Sequence, residues 1–286
     1  MGDRDGRPAG VRPRPRWLQA MIGAEVPTRI EINSQPFTLR ELYKHDSWAA
    51  TGLFEGPDGR LAVCKFHRRQ VVAGFWVAWS GLWLARHEAR LLDALADLPG
   101  VPKRCGAVVV DGQPDPYAVA RWYIPGHPLR KKERVHDEFF PRLAALLDAM
   151  HRRGIAYVDL HKRENIIVGE DGAPYLIDFQ IGVKLGERWP WRAILRVLQR
   201  SDLYHLHKHW GRCRPDQCAP EMINIGQRPP WWIALHRRVA KPFREARRRL
   251  RVRLGVRAGR GRVETEALPE AAVRDQLQSQ PTRDAA

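Results

Sequence analysis

The pattern of apolar and polar positions changes character part-way along the chain. Short apolar runs in the first half predict strands, and apolar residues at three- and four-residue spacing in the second half predict helices. The segment WAATGLFEGPDGRLAVCKF holds two apolar runs around a Pro-Asp-Gly turn at residues 57–59, which predicts a β-hairpin. A helix ending near Leu95 follows it, and GAVVVDG and PYAVARWYI predict a second strand pair.

The second half begins after the stretch PGHPL, residues 125–129, which interrupts the strand pattern and predicts a hinge. Beyond it, five apolar residues recur at helical spacing up to Gly154, a residue type that often caps helices: Phe139, Leu143, Leu146, Leu147 and Met150. NIIV and YLIDF then predict two short strands joined by the turn GEDGAP.

These elements together predict an α+β fold of two lobes. We expect a β-rich N-terminal lobe over residues 29–125 and a helical C-terminal lobe over residues 126–235. Residues 1–28 are rich in Arg, Pro and Gly and are expected to form a flexible basic tail. Residues 236–286 are expected to form a basic amphipathic helix and then a disordered tail.

Composition narrows the class of protein and its partners. The formal net charge of +17 favours anionic partners, among them nucleotides, nucleic acids, acidic lipids and acidic proteins. The four cysteines are sparse and unevenly spaced, which argues against a secreted disulfide framework. The N-terminus has no signal-peptide pattern, and the uncharged run at residues 70–85 falls short of a membrane span. We therefore expect a cytoplasmic protein.

The basic C-terminal helix leaves two interpretations open. A cationic face opposite Trp and Leu residues suits attachment to an anionic membrane surface, which would place the protein peripherally at the inner membrane face. The alternative is a tail that is solvated or docked on a lobe. Nucleic acid is disfavoured as a partner because the sequence contains no recognisable reader module.

Five polar residues fall on the elements that phosphoryl transfer requires. Lys65 ends a strand, Glu88 lies on the next helix, Asp159 and Asn165 share a loop, and Asp178 ends another strand. Phosphoryl transfer depends on positioning and charge neutralisation, which call for a lysine on the phosphates, a carboxylate that holds this lysine, and an acceptor for the hydroxyl proton. An asparagine and a second aspartate supply oxygen ligands of the kind that Mg²⁺ prefers.

This set resembles the protein-kinase-like superfamily. LAVCK resembles the strand that carries the lysine, HRRGIAYVDLHKREN resembles the end of a helix with the catalytic loop, and LIDFQ resembles the metal-binding segment. The compact bacterial branch near lipopolysaccharide kinases and RIO-type kinases is most similar, over roughly residues 38 to 215. The resemblance implies a two-lobed protein-kinase-like fold and the cofactors ATP and Mg²⁺.

The resemblance also implies a role for each residue of the motif. Lys65 would bind the phosphates of the nucleotide, and Glu88 would pair with Lys65. Asp159 would accept the proton of the attacking hydroxyl, and Lys162 would touch the γ-phosphate. Asn165 and Asp178 would hold the metal ion. The stretch YKHDSWAATG stands where the family has a glycine-rich loop, so the Ser47 hydroxyl is a candidate for covering the phosphates.

The sequence departs from the family pattern in three places. Five residues, Leu160–Glu164, separate Asp159 from Asn165 where the family has four. Gln180 replaces a glycine after Asp178-Phe179, and no glycine-rich motif precedes Lys65. Two functions therefore stay open. The first is a kinase that acts on a hydroxyl, either a protein Ser/Thr or a sugar of an envelope glycolipid. The alternative is an inactive pseudokinase that serves as a binding or membrane-scaffold module.

Overall fold

The structure is a computed structural model that describes residues 20, 26–45, 48–69, 76–186 and 188–220, with a few isolated positions between 222 and 252. Most of the two predicted tails, residues 1–28 and 236–286, lies outside the described residues, and so does the predicted phosphate-covering residue Ser47.

The N-terminal half is dominated by one antiparallel sheet of eight strands. Along the sheet their order is β5-β8-β4-β3-β2-β1-β6-β7. The helix α1, Trp76–Ala94, is inserted between β4 and β5. The strands are β1 (Arg29–Ile32), β2 (Gln35–His45), β3 (Ala49–Glu55), β4 (Leu61–His67), β5 (Arg104–Gly106), β6 (Val108–Val110), β7 (Gln113–Pro114) and β8 (Ala118–Trp122).

The predicted hairpin is confirmed as β3 and β4, which pair from Ala49 opposite His67 to Glu55 opposite Leu61. On its other side β4 pairs with β8, so that Lys65 lies between Thr51 and Val119 in the middle of the sheet. A central strand is held from both sides by hydrogen bonds, which makes it a rigid support for a functional side chain.

The second predicted strand pair is only partly right, because its first strand is divided between two partners. Gly106, in β5, pairs with β8 as predicted, but β6 pairs with β1 and β7. Only Ala107 separates β5 from β6. One short segment therefore pairs with strands from both ends of the sheet, and the sheet curls round on itself. This closure joins residues far apart in sequence, so local apolar patterns do not reveal it.

The C-terminal half contains two longer helices and two small sheets. The helices are α2 (Phe139–Arg152) and α3 (Trp191–Cys213). The strands are β9 (Gly126–Pro128), β10 (Ile155–Ala156), β11 (Ile166–Gly169), β12 (Pro174–Leu176) and β13 (Val183–Lys184), paired in the orders β12-β11-β9 and β10-β13. The predicted cap of α2 is confirmed, since Gly154 has a φ of 70° and donates its N–H to the carbonyl of His151.

The largest cluster of buried apolar residues joins the two halves. It combines Leu91, Leu92 and Leu95, on or just after α1, with Phe139 and Leu143 of α2 and further residues around them. The helix of the β-rich half therefore packs on the helical half, and α1 is positioned by both. This architecture confirms the predicted α+β fold class. Among the described residues, none of the helices is both long and apolar enough to cross a membrane.

The stretch predicted as a hinge contains Gly126, whose backbone conformation requires glycine. Its φ is 139°, and a Cβ atom placed there would overlap the backbone of Val168 on the paired strand β11. We predict that Gly126→Ala lowers the free energy of unfolding by about 3 kcal/mol, because backbone strain and overlap act together.

Gly59 provides the matched control for this prediction. Its φ is 74°, but a Cβ atom there would meet nothing within 4 Å. Gly59→Ala is therefore expected to cost only about 1 kcal/mol from the left-handed backbone. Urea unfolding of both variants measures the difference, and equal losses of stability would contradict the proposed overlap at Gly126.

Candidate active site

The strand residue Lys65 and the helix residue Glu88 form a buried ion pair. Lys65 Nζ lies 3.2 Å from Glu88 Oε2, and the two side chains are only 15% and 5% exposed. Burial disfavours the charge on Lys65, but the carboxylates of Asp178 and Glu88 outweigh this effect and raise the pKa of the lysine above its usual value. The site therefore holds a fixed positive charge where the sequence predicts that phosphates bind.

Asp178 completes this cluster from the other half of the chain. Its Oδ1 accepts a hydrogen bond of 2.7 Å from Lys65 Nζ. The residue follows β12 and has a φ of 63°, an unusual left-handed conformation for a residue other than glycine. Phe179, which comes next, is fully buried and packs edge-on against Tyr157 at 5.3 Å between ring centres. The buried ring fixes the turn that directs the Asp178 carboxylate toward Lys65.

Asp159 lies in the loop between β10 and β11 and is only 2% exposed. Its Oδ2 accepts hydrogen bonds of 2.8 Å from both Lys162 Nζ and Asn165 Nδ2. His161 Nδ1 lies 3.2 Å from the other oxygen, Oδ1. Two donors from one short loop thus hold one oxygen of this carboxylate, whereas the buried Oδ1 has no hydrogen-bond partner among the described residues.

The extra residue between Asp159 and Asn165 is accommodated inside the loop. Residues Arg163–Asn165 form a single turn of 3-10 helix, which takes up the additional length. The turn brings the Asn165 amide onto Asp159, and the backbone carbonyl of Asn165 accepts the N–H of Ile177, the residue before Asp178. Despite the altered spacing, Asn165 is therefore tied to Asp159 by its side chain and to the residue before Asp178 by its backbone.

Tyr157 shows how closely the acidic groups converge. Its hydroxyl donates to the carbonyl of Ile177, which ties the start of the loop to the residue before Asp178. Burial raises the pKa of Tyr157 well above its usual value, and the negative charges of Asp178, Asp159 and Asp202 raise it further.

The predicted site residues thus fall into three groups. Lys65, Glu88 and Asp178 meet in one ionic cluster, and the side chains of Lys162 and Asn165 meet on Asp159. Hydrogen bonds from Tyr157 and Ile177 join the two clusters through the backbone. Ser47 lies outside the described residues, so its placement stays a prediction.

Sequence reasoning missed Asp202, which positions the loop. This aspartate of α3 is completely buried and accepts 2.8 Å hydrogen bonds from the backbone N–H groups of Tyr157 and Val158, and His151 Nε2 lies 3.2 Å away. Val158 has a φ of 70°, which is costly for a β-branched residue and requires such support. The only signal for this role in the sequence was an acidic residue on the apolar side of α3.

Two buried histidines have contacts at the site that the sequence did not predict. His209 of α3 bonds the carbonyl of Leu160 at 2.8 Å, and burial lowers the pKa of this histidine to about 4, so that its neutral form braces the loop. His67 lies on β4 two residues after Lys65, so its side chain is on the same face of the sheet. Its Nε2 is 3.3 Å from Glu88 Oε2, the same oxygen that contacts Lys65. Glu88 therefore has two basic neighbours.

The arrangement suits a nucleotide phosphate with a hard metal ion. The Asn165 amide turns its NH₂ group toward Asp159, which leaves its carbonyl oxygen as the ligand atom for a metal. Together with the Asp178 carboxylate this makes an all-oxygen set, and Lys65 supplies a positive charge beside it. These residue types fit Mg²⁺. No group of three or more His, Cys, Asp or Glu side chains that could hold a metal ion occurs among the described residues.

Comparison with known proteins gives similarity only at the level of structure. No family model matches the chain, and no curated protein matches it. Two similar solved structures are the Rio2 kinase from Chaetomium thermophilum in an ADP/Mg²⁺–phosphoaspartate complex, with 16% identity and a TM-score of 0.46, and the Rio2 kinase from the same organism, with 15% identity and a TM-score of 0.47.

Each alignment covers 66% of this chain, and the chain spans 61% and 63% of the two Rio2 structures. Both structures are RIO-type kinases, and neither is a lipopolysaccharide kinase. The geometry agrees with a protein-kinase-like fold, because a central strand carries a lysine that pairs with a helix glutamate and with an aspartate of the C-terminal half, and a loop asparagine bonds a further aspartate.

The role of Asp202 can be tested by a conservative substitution. In Asp202→Asn one of the two backbone N–H groups loses its acceptor, and the charge that faces His151 is removed. We predict a loss of about 2 to 3 kcal/mol in the free energy of unfolding. Asp148→Asn is the matched control, since Asp148 pairs with Arg152 on the exposed surface of α2 and is expected to contribute about 0.5 kcal/mol or less. Chemical denaturation measures both, and a loss for Asp202→Asn as small as that of the control would contradict its bracing role.

Proposed function

We propose that this protein is a phosphotransferase that transfers the γ-phosphoryl group of ATP, with Mg²⁺, to a hydroxyl group. The observation that carries this proposal is the pairing of Lys65 with Glu88 and Asp178 next to a loop in which Asn165 bonds Asp159. Structural ion pairs also occur in ordinary cores. Burying a lysine together with two carboxylates, beside a second acidic cluster, is however costly. Such a cluster is expected where its charges bind a ligand.

In this proposal Lys65 contacts the α- and β-phosphates, and Glu88 keeps the lysine in place. Asn165 and Asp178 hold Mg²⁺, which neutralises phosphate charge and orients the γ-phosphate when it is bound. Lys162 is half-exposed, with 47% of its side chain accessible, and is able to reach from Asp159 to the γ-phosphate. Ser47 is proposed to lie over the phosphates.

Asp159 is proposed to be the base of the reaction. Lys162 and Asn165 occupy its Oδ2, so its Oδ1, beside His161, is the oxygen that takes the proton. The acceptor hydroxyl gives this proton to Oδ1 while its oxygen forms the new bond to the γ-phosphorus, and ADP leaves with the electrons of the broken P–O bond. The two donors on Oδ2 fix the orientation of the carboxylate.

The acceptor hydroxyl has two candidate carriers. They are a protein Ser/Thr and a sugar of an envelope glycolipid, and the sequence does not select between them. A glycolipid acceptor agrees with a peripheral position at the inner membrane face, which the basic segment 236–286 would support.

A pseudokinase that only binds nucleotide is the runner-up. The contact between Lys65 and Asp178 favours it, because the carboxylate proposed as a metal ligand is neutralised by the lysine at 2.7 Å. The substitution of Gln180 for a glycine and the glycine-poor segment before Lys65 point the same way. The two functions differ in turnover, which is directly measurable.

We predict that Asp159→Asn lowers phosphoryl transfer roughly a hundredfold to ten-thousandfold, because the amide cannot accept the proton. The measurement is ADP release from ATP and Mg²⁺, with and without an added acceptor, and ATP binding is expected to remain within about threefold of the wild type. Glu170→Gln is the control, since Glu170 is an exposed carboxylate in the turn after β11.

The outcomes of this assay separate the two functions. Turnover by Asp159→Asn equal to that of the wild type would remove Asp159 from the chemistry. Nucleotide binding without turnover by the wild type would identify a pseudokinase.

A further inference from the structure

The start of α3 and the turn before it expose an unusual number of large apolar side chains. Trp189 is 85% exposed and Trp191 is 53% exposed, and Ile194 and Val197 are exposed on the first turns of the helix. Single exposed apolar residues are common on protein surfaces, but four within nine positions, two of them tryptophans, form a patch that calls for an explanation.

The same segment is strongly basic. Between residues 188 and 200 the sequence holds four arginines and no acid, and all four arginines are exposed: Arg188, Arg192, Arg196 and Arg200. None of them forms a salt bridge with any residue that the structure describes. We refer to the apolar patch and these arginines together as the Trp/Arg surface. Four positive charges in so short a segment attract an anionic partner.

The two residue types occupy different sides of the helix. Arg192, Arg196 and Arg200 recur every four residues and so form one ridge, whereas Trp191, Ile194 and Val197 recur every three residues. At 3.6 residues per turn the centres of the two rows lie roughly on opposite sides of the axis. The segment is therefore amphipathic on its exposed surface, with a basic side and an apolar side.

The exposed apolar side chains at the start of α3 do not pack in the protein core. The second half of α3 contributes most of its buried residues, including Asp202, Leu206 and His209, whereas Leu195 is the only buried residue in the first ten positions. The Trp and Arg side chains therefore contribute little to the stability of the fold.

We propose that the Trp/Arg surface binds the headgroup region of an anionic lipid bilayer. A convex, amphipathic helical surface with Trp on one side and Arg on the other suits a helix that lies in the plane of a membrane interface. Trp189 and Trp191 enter the headgroup layer, Ile194 and Val197 face the acyl chains, and the arginines meet lipid phosphates. In sequence, this surface is distinct from the C-terminal segment 236–286.

Lipid fits the surface better than nucleic acid or an acidic protein. Nucleic acid uses arginines and stacked aromatic rings, but Ile194 and Val197 have no role in such a contact. An acidic protein partner needs a shaped apolar site as well as charge, whereas a bilayer accommodates a convex helix. Trp189 follows Asp178 by eleven residues, so the proposed membrane contact comes directly after the candidate site in the chain. The inference does not depend on phosphoryl transfer.

The proposal is tested by sedimentation of the full-length protein with vesicles. Vesicles of phosphatidylcholine alone are compared with vesicles that also contain phosphatidylglycerol. We predict that the wild type binds the anionic vesicles more strongly and that added salt weakens this binding. Each arginine near an anionic surface contributes roughly fivefold, so R192Q/R196Q is expected to lose roughly ten- to thirtyfold. W189S/W191S is expected to lose the part of the vesicle binding that added salt does not weaken.

The matched control is R86Q/R90Q, which removes two exposed arginines with the same four-residue spacing from α1. It is expected to change vesicle binding less than threefold.

Equal binding by R192Q/R196Q and the wild type would contradict the proposal. Equal losses of binding in R192Q/R196Q and R86Q/R90Q would also contradict it. A loss seen only in R247Q/R248Q/R249Q would also contradict it and assign the membrane contact to the C-terminal segment. ATP binding by each variant is measured in parallel, so that failure of the lipid contact is distinguished from failure of the proposed kinase site.

Discussion

The structure depends most on one buried charge, the ammonium group of Lys65. It lies between Glu88 on α1 and Asp178 after β12, so a strand, a helix and the C-terminal half meet at a single ion cluster. Burying an isolated charge is expensive, and removing one partner of a buried pair costs about 3 to 5 kcal/mol. The fold therefore has to keep these elements together, and the core shared by α1 and α2 does so. Nucleotide phosphates and a metal ion would replace the contacts between Lys65 and its carboxylates, and no charge in the cluster would be left unpaired.

The acidic loop follows a second constraint, which is the shape of its backbone. Asp202 holds the N–H groups of Tyr157 and Val158, and His209 bonds the carbonyl of Leu160, so α3 fixes the residues on both sides of Asp159. This bracing explains how the loop tolerates one additional residue. The extra length is taken up in the 3-10 turn Arg163–Asn165, which lies after the residues that α3 holds.

Local patterns in the sequence were enough to predict the hairpin of β3 and β4, the helix α2 and its cap at Gly154, and the candidate residues Lys65, Glu88 and Asp178. Long-range pairing could not be predicted in this way. The closure of the sheet depends on the pairing of β6 with β1, about eighty residues earlier in the chain, and Asp202 acts on backbone groups about forty-five residues earlier. Neither leaves a periodic signal, because the residues concerned are single polar groups or short strands.

Ligand-induced stabilisation tests the central claim most directly. Thermal unfolding of the wild type and of Lys65→Met is recorded with ATP alone, with Mg²⁺ alone and with both, and each Tm is compared with that of the same protein without ligand. We expect ATP with Mg²⁺ to raise the Tm of the wild type by roughly 5 to 10 °C at saturating ligand, and we expect Lys65→Met to lose this shift. An equal shift in both proteins, or no shift in the wild type, would contradict the assignment of Lys65 and its two carboxylates to a nucleotide site.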